Sequence, residues 1–136
     1  MSEENVEIVR KAFDSKGARS FEETAEIYWH PDIVYVEDPR WPGAATYTGR
    51  DAVLACFQAY MEALGSEDDM EVSVERVFDA GRCQVPFVRV KSRASTSGLP
   101  HEHLWGYVVE VRNERIAYFR AYYEPKEALE AAGLSE

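Results

Sequence analysis

The sequence is poor in cysteine and in basic residues, and both shortages exclude classes of protein. Cys56 and Cys83 are the two cysteines in 136 residues, which is too few for a disulfide framework and suits two buried, reduced thiols. Lys and Arg number 15 against 25 Asp and Glu, so the formal net charge is −10 at pH 7. Because nucleic acids and anionic membranes attract basic patches, we expect neither as a partner.

Long apolar runs and the common nucleotide-binding motifs are also missing. No segment approaches the run of about eighteen apolar residues that a membrane-spanning helix needs, and the opening MSEENVEIVRK has no apolar signal-peptide core. No P-loop, Rossmann glycine pattern or nucleophile elbow occurs. We therefore expect a soluble cytoplasmic protein that uses no cofactor.

Aromatic residues, in contrast, are plentiful. The chain has eight Tyr, six Phe and three Trp, which is more ring area than a minimal core needs. The length suits one domain over residues 1–136 with a single core. The surplus of rings predicts a pocket that they line.

Helical patterns come first in the chain and strand patterns follow. Apolar stripes predict helices over residues 3–15, 20–30 and 52–64, the second beginning with Ser20 and Glu23 in capping-box spacing. β-rich runs predict strands over residues 32–38, 70–78, 83–92, 101–112 and 115–123, and a short helix over 124–134 ends the pattern. This order indicates an α+β fold, with an antiparallel sheet and the helices on one face.

Two local signals refine the predicted sheet. Pro86 lies inside a strand pattern, which places that strand at a sheet edge or at a bulge because proline has no N–H to donate. The connection RNER predicts a hairpin, with Asn113 in the turn conformation that asparagine tolerates.

The stretch IVYVEDPRWPG, residues 33–43, places two acids at the end of a strand. Alternate side chains share a face, so Val34, Val36 and Asp38 point one way, and we expect one acid to follow the valines inward. Asp38 either caps the turn before Pro39 or lies at the mouth of an apolar cavity. In a cavity, desolvation would raise its pKa and make it useful as a base. The alternation does not distinguish these two interpretations.

The order of helices, HPDIVYVEDP, WPGAATYTGRDAV, HLWGY and RIAYFRAYYEPKEALEAAG resembles the SnoaL-like branch of the NTF2-like superfamily, which includes the ketosteroid isomerases. The likeness covers nearly the whole chain. It implies a cone, in which a curved antiparallel (mixed) sheet surrounds three N-terminal helices and a deep apolar pocket. It also implies that Tyr118, Arg120 and Tyr122 face outward, and that a homodimer forms through the outer face of the sheet.

The same resemblance implies roles for single residues. VEDP is similar to the isomerase motif whose aspartate moves a proton on the carbon next to a ketone, a role that falls on Asp38. The acid that stabilises the oxyanion corresponds to Glu102. The tyrosine on the first helix corresponds to Phe13, which has no hydroxyl, and this loss costs about a hundredfold or more in rate unless the hydroxyl of Tyr60 or Tyr28 replaces it. The residues expected to line the pocket are Phe13, Tyr28, Trp41, Phe57, Tyr60, Leu104, Phe119 and Tyr123.

Strand alternation supports the placement of Glu102. It puts Glu102 and Leu104 on one face, which we take as the inner one, and His101, His103 and Trp105 on the other. Two histidines on one face are a geometry that metal sites use, but the glutamate and glycines of a cupin site are missing, so we expect no metal.

We therefore predict a protein that binds a hydrophobic small molecule. As an enzyme it would be a cofactor-free isomerase, cyclase or lyase that transfers a proton on a carbonyl compound, with Asp38 and Glu102 as catalytic residues. Fewer residues match the epoxide hydrolases of this fold, because no second aspartate can be placed. Fewer residues also match the polyketide cyclases, because the late strand has no acid. The alternative is a non-catalytic ligand-binding or dimerisation module of the same fold.

Overall fold

The computed structural model describes residues 2–14, 20–41, 43–64, 71–93 and 100–134, which form four helices and six strands. The helices are α1 (Ser2–Phe13), α2 (Phe21–Tyr28), α3 (Arg50–Leu64) and α4 (Pro125–Ala131). The strands are β1 (Trp29–Val36), β2 (Thr46–Thr48), β3 (Glu71–Asp79), β4 (Gln84–Arg93), β5 (Pro100–Arg112) and β6 (Arg115–Tyr122). The predicted elements are all present, with β1 beginning at Trp29, where helix was predicted.

The strands form one curved, mixed sheet in the order β2-β1-β6-β5-β4-β3. Neighbouring strands are antiparallel except β1 and β6, which run parallel and join the early part of the chain to the late part. The α+β class and the mixed sheet are therefore confirmed.

Helices α1, α2 and α3 pack on one face of the sheet, called here the inner face. Ser20 caps α2 as predicted, because its Oγ accepts a hydrogen bond from the backbone N–H of Glu23 at 3.2 Å. The core lies between these helices and the inner face. Its fully buried members include Val9, Ile33, Val53 and Val109. On α3, the side chains of Met61 and Leu64 fall outside those that the structure describes.

Helix α4 lies on the opposite, outer face, so the prediction that the helices share one face is wrong for this helix. It contributes to a second buried cluster that contains Cys83, Val85, Phe87, Ala128, Leu129 and Ala132. Tyr118, Arg120 and Tyr122 are half-buried side chains on β6 that alternate with the inward Phe119. The homodimer through this face stays a prediction.

Gly106 in β5 allows the close approach of α4. A Cβ at this position would lie 2.7 Å from the Cα of Pro125 and 3.0 Å from the Cβ of Ala128, closer than non-bonded carbon atoms approach. A side chain here would therefore push α4 away from the sheet. Both cysteines are buried, as predicted, Cys56 on α3 and Cys83 before β4.

The two local predictions about the sheet had different outcomes. Asn113 adopts a positive φ of 53°, as predicted for the hairpin, and Glu114 also does, at 65°, which matches the two-residue turns that follow the twist of a hairpin. Pro86 does not lie on an edge strand, because β4 pairs with β3 on one side and β5 on the other. The register irregularity falls instead on β3, between Val74 and Arg76.

We expect Gly106→Ala to destabilise the protein by about 1–3 kcal/mol, the usual cost of forcing extra atoms into a packed contact. Urea unfolding measures this cost, and hydrogen exchange should show lost protection in α4. Gly81→Ala is the control, since nothing lies within 4 Å of a Cβ there and its φ of +86° adds only local backbone strain. Unchanged protection of α4 in Gly106→Ala would contradict the assigned packing.

Candidate functional site

Glu37 and Asp38 leave the end of β1 on opposite sides of the sheet. Glu37 is 5% exposed and faces α3 on the inner side, with Ile33 and Tyr35 at 0% and 4%. Asp38 is 2% exposed, and its partner Arg40 also contacts Glu127 of α4 on the outer side. The predicted inward orientation of Asp38 is therefore wrong, and the acid inside the cone is Glu37.

The packing of β1 explains this orientation. The ring of Tyr35 stacks on Phe119 with centroids 4.4 Å apart, and Ile33 is fully buried, while Val34 and Val36 are only half-buried on the other face. Burying a tyrosine and an isoleucine removes more apolar area from water than burying two valines, at about 25 cal/mol per Å². Strand alternation is obeyed, but the valines face outward.

Asp38 accepts four hydrogen bonds from two residues. Its Oδ1 receives the backbone N–H and Nε of Arg40 at 2.8 and 3.1 Å, and its Oδ2 receives Arg40 Nη2 at 2.9 Å and the Tyr123 N–H at 2.7 Å. Burial by itself raises the pKa of Asp38, but the bonds from Arg40 and Tyr123 outweigh it and hold the pKa below its usual range. A carboxylate so stabilised as an anion is a poor base, and the turn-capping interpretation of Asp38 is the one that fits.

Glu37 lies in a group of side chains called here the Glu37 cluster: Glu37, Tyr47, Cys56 and Tyr60. The Oε1 atom of Glu37 accepts a hydrogen bond from the Ala45 N–H at 3.0 Å. The Oε2 atom of Glu37 lies 3.9 Å from Cys56 Sγ and accepts a hydrogen bond from the Tyr60 hydroxyl. Burial raises the pKa of Glu37, and the hydrogen bonds from Ala45, Cys56 and Tyr47 offset only part of the rise. Glu37 thus has the raised pKa that was predicted for its neighbour.

Cys56 and Tyr47, next to Glu37, keep their protons at neutral pH. Burial and the nearby Glu37 raise the pKa of the Cys56 thiol to about 12. The neighbouring Cys56, burial and Glu37 likewise raise the pKa of Tyr47. The cluster therefore places one carboxyl group, which titrates first, among a thiol and phenols that act as hydrogen-bond donors.

Aromatic rings fill the core below this cluster. Tyr35, Phe57 and Phe119 are mutually stacked at 4.4 to 6.0 Å, and Phe13 contacts Phe119 at 5.8 Å. Phe13, Phe57 and Phe119 are thus on the inner face, and Tyr28 is buried in the same core. These four residues of the predicted pocket belong to one core cluster, in which the rings of Phe13 and Phe57 both contact that of Phe119.

A second set of rings, called here the aromatic rim, extends from the Glu37 cluster. It consists of Trp41, Tyr60, His103, Trp105 and Tyr123. Trp41 contacts both Tyr60 and Trp105 at 5.8 Å, and Tyr123, which is 41% exposed, stacks on His103 at 4.0 Å. His103 and Trp105 were predicted on the outer face, which is wrong. The signal that identifies their face is that positions 103 and 105 have the same parity along β5 as the inward Tyr107 and Val109.

Glu102 and Leu104 face outward, contrary to the prediction. The Glu102 side chain is 51% exposed and accepts a 2.9 Å hydrogen bond from Arg89 on the neighbouring strand. Leu104 packs against the outer cluster beside α4. Because its carboxyl group lies on the outer face, Glu102 does not reach the interior of the cone, where the predicted oxyanion-stabilising acid would act.

The part of the chain that the structure describes has neither a metal cluster nor a membrane-spanning helix. Within residues 2–14, 20–41, 43–64, 71–93 and 100–134, no group of three or more His, Cys, Asp and Glu side chains is arranged to hold a metal ion. The side chain of His101 falls outside those that the structure describes. No helix in the same ranges is long and apolar enough to cross a membrane.

Solved structures share this fold at low sequence identity. A protein with a ketosteroid isomerase-like fold from Catenulispora acidiphila, in complex with trimethylamine, is 19% identical with a TM-score of 0.70, covering 94% of this chain and 93% of that one. An NTF2-like protein of unknown function from Burkholderia pseudomallei is 16% identical with a TM-score of 0.72, covering 93% and 95%. A provisionally named SnoaL-like polyketide cyclase from Jannaschia sp. CCS1 is 18% identical with a TM-score of 0.74, covering 89% and 85%.

No protein-family model and no curated protein matches the chain. The structural matches nevertheless confirm the resemblance inferred from the sequence at the level of the fold. The chain has the NTF2-like, ketosteroid isomerase-like cone fold. Identities of 16 to 19% establish the architecture and leave the activity to be argued from the site.

The two adjacent acids should titrate in opposite directions from their ordinary values. We expect carboxyl-carbon NMR to place the pKa of Glu37 above the value of about 4.3 for free glutamate, and that of Asp38 below about 3.9. Glu37→Gln and Asp38→Asn assign the two signals. A pKa for Asp38 higher than that for Glu37 would contradict the geometry.

The pH dependence of stability should reveal the buried carboxyl. A pKa raised on folding gives stability that is complete below the unfolded pKa and is lost as pH rises through the folded pKa. The loss is about 1.4 kcal/mol for each pH unit that separates these two pKa values. The free energy of unfolding of Glu37→Gln in urea, relative to that of the native sequence, should therefore increase from pH 4 to pH 8. Glu102→Gln, at an exposed position, is the control. If the free energies of unfolding of Glu37→Gln and of the native sequence differ by the same amount at pH 4 and pH 8, Glu37 is not desolvated.

Proposed function

We propose that the protein binds a hydrophobic carbonyl compound between the Glu37 cluster and the aromatic rim and transfers a proton on the carbon next to the carbonyl, with Glu37 as the base. The observation that carries the proposal is the Glu37 carboxyl group, buried on the inner face with a raised pKa. Asp38, the residue matched by resemblance, is excluded from this role because Arg40 and Tyr123 already stabilise its anion.

The chemistry needs one group that accepts a proton and then returns it. Ionised Glu37 takes the proton, the C–H bond breaks, and its electron pair forms the carbon–carbon double bond of an enolate whose oxygen carries the charge. Return of the proton to another carbon completes an isomerisation. Attack of the enolate carbon on a second carbonyl group of the same molecule, followed by protonation of the new alkoxide, completes a ring closure. A raised pKa strengthens Glu37 as a base for either reaction.

Tyr60 supplies the hydrogen-bond donor that such an enolate needs. Its hydroxyl donates to Glu37 Oε2, and its ring contacts Trp41 at the aromatic rim. The oxygen of a substrate bound at this point accepts the hydrogen bond from the Tyr60 hydroxyl in place of Glu37. Glu37 Oε2 is then free to accept the proton. Tyr60 on α3 thereby replaces the hydroxyl that Phe13 lacks on α1.

The surroundings favour a neutral, hydrophobic substrate. The groups next to Glu37 are rings of the core and of the aromatic rim, which bind apolar surface. The net charge of −10 opposes the approach of an anion. These features support a compact, uncharged ketone more than a carboxylate or a phosphorylated molecule.

A non-catalytic ligand-binding protein is the second candidate, and one observation favours it. Both oxygens of Glu37 already accept hydrogen bonds from Ala45 and Tyr60, so the carboxyl group is satisfied without a substrate. In that case Glu37 and Tyr60 would orient a ligand without moving a proton.

Exchange of substrate hydrogen for solvent deuterium separates the two candidates. In D₂O, we expect the protein to incorporate deuterium next to the carbonyl of one or more members of a panel of hydrophobic ketones, detected by mass spectrometry. Glu37→Gln should lower the rate by about 10²- to 10⁴-fold because the base is lost. Tyr60→Phe should lower it by about 10²-fold or more because the oxyanion donor is lost.

Glu102→Gln is the matched control, since it neutralises an exposed carboxylate on the outer face. Its rate should equal that of the native sequence. Full exchange by Glu37→Gln would refute the proposal, and ketone binding without exchange by the native protein would favour the ligand-binding candidate.

A further inference from the structure

Asp38, Arg40 and Glu127 form a chain of charged contacts, called here the Arg40 bridge. The guanidinium group of Arg40 donates two hydrogen bonds to Asp38 and one to Glu127 in α4. The bridge therefore joins the segment that follows β1 to helix α4 on the outer face of the sheet. The proton-transfer chemistry proposed above makes no use of it.

The buried end of this bridge also fixes the backbone that carries two rings of the aromatic rim. Trp41 follows Arg40 directly, and its N–H donates to the carbonyl oxygen of Asp38 at 2.9 Å. The Tyr123 N–H donates to Asp38 Oδ2 at 2.7 Å. Asp38 thus holds the backbone of both Trp41 and Tyr123, whose rings contact Trp105 at 5.8 and 5.5 Å.

The two ends of the bridge differ in exposure and so in what they contribute. The Asp38 side chain is 2% exposed, so the loss of its arginine partner would leave a buried anion with backbone donors alone. The side chains of Arg40 and Glu127 are 49% and 45% exposed, and surface ion pairs of this kind add little to stability. The outer end is therefore better suited to orient Arg40 than to stabilise the fold.

We propose that Asp38 and Arg40 are positioning residues that hold Trp41 and Tyr123 in the aromatic rim, and that Glu127 couples this arrangement to α4. The aspartate of the VEDP motif then acts on the site through the rim and not through a proton. The functional importance of the rim rests on the proposed function, whereas the positioning itself does not.

Fluorine NMR of protein labelled with 5-fluorotryptophan tests the positioning without any substrate. The chain has three tryptophans, so Trp41 and Trp105 report on the rim and Trp29 on the core. We expect Arg40→Gln to shift the signals of Trp41 and Trp105 by more than their line widths and to leave that of Trp29 in place. Arg40→Lys keeps the charge but not the planar fork, so it should restore the native signals only in part.

Arg89→Gln is the matched control. Arg89 also pairs with two glutamates, Glu75 and Glu102, but its side chain lies on the outer face of strand β4, on the other side of the sheet from the rim. Its substitution should leave all three tryptophan signals unchanged. If Arg40→Gln unfolds the protein, Glu127→Gln serves as the second test, because the Glu127 side chain is exposed and its loss should cost little stability. We expect Glu127→Gln to shift the Trp41 signal.

A ketone that exchanges deuterium extends the test to function. Arg40→Gln should raise KM about tenfold or more while the pH profile of kcat, which Glu37 sets, stays unchanged. Unshifted Trp41 and Trp105 signals in Arg40→Lys and Glu127→Gln would overturn the proposal. Shifted signals together with full exchange by Glu37→Gln would instead keep the positioning and refute the proton-transfer function.

Discussion

The pairing of β1 with β6 fixes which acid enters the cone. The two strands run parallel, with Tyr35 directly opposite Phe119, and their rings stack at 4.4 Å within the core. Because alternate side chains of a strand share a face, the inward Tyr35 forces Glu37 inward and Asp38 outward. This one contact between aromatic rings therefore determines the chemistry available to the site.

Two adjacent carboxyl groups acquire opposite properties from this arrangement. Glu37 loses water on burial, and this raises its pKa by more than its neutral hydrogen-bond donors lower it, whereas the bonds from Arg40 and Tyr123 hold the pKa of Asp38 low. The first effect suits a base, and the second suits a structural anion that holds the turn. A motif matched by residue type alone does not show which of the two acids is desolvated, because they differ in surroundings and not in chemistry.

Features set by local interactions were predicted well. The Ser20 cap, the turn at Asn113 and the strand runs of β3 to β6 each depend on neighbouring residues and on alternation. Predictions that required a choice between two faces of the sheet failed more often. Glu102 was placed inside, and α4 was grouped with the other helices, because alternation divides residues into two sets without stating which set is buried.

The sequence by itself determined the α+β class, the order of the elements, the NTF2-like resemblance and the surplus of aromatic residues. These depend on period, turn chemistry and composition, which are properties of short segments. Only the tertiary structure decided that Glu37 lies inside, that Asp38 pairs with Arg40, and that Trp105 joins the rim. The face that each strand buries depends on the apolar area gained against partners far away in the chain, and no local pattern contains that sum.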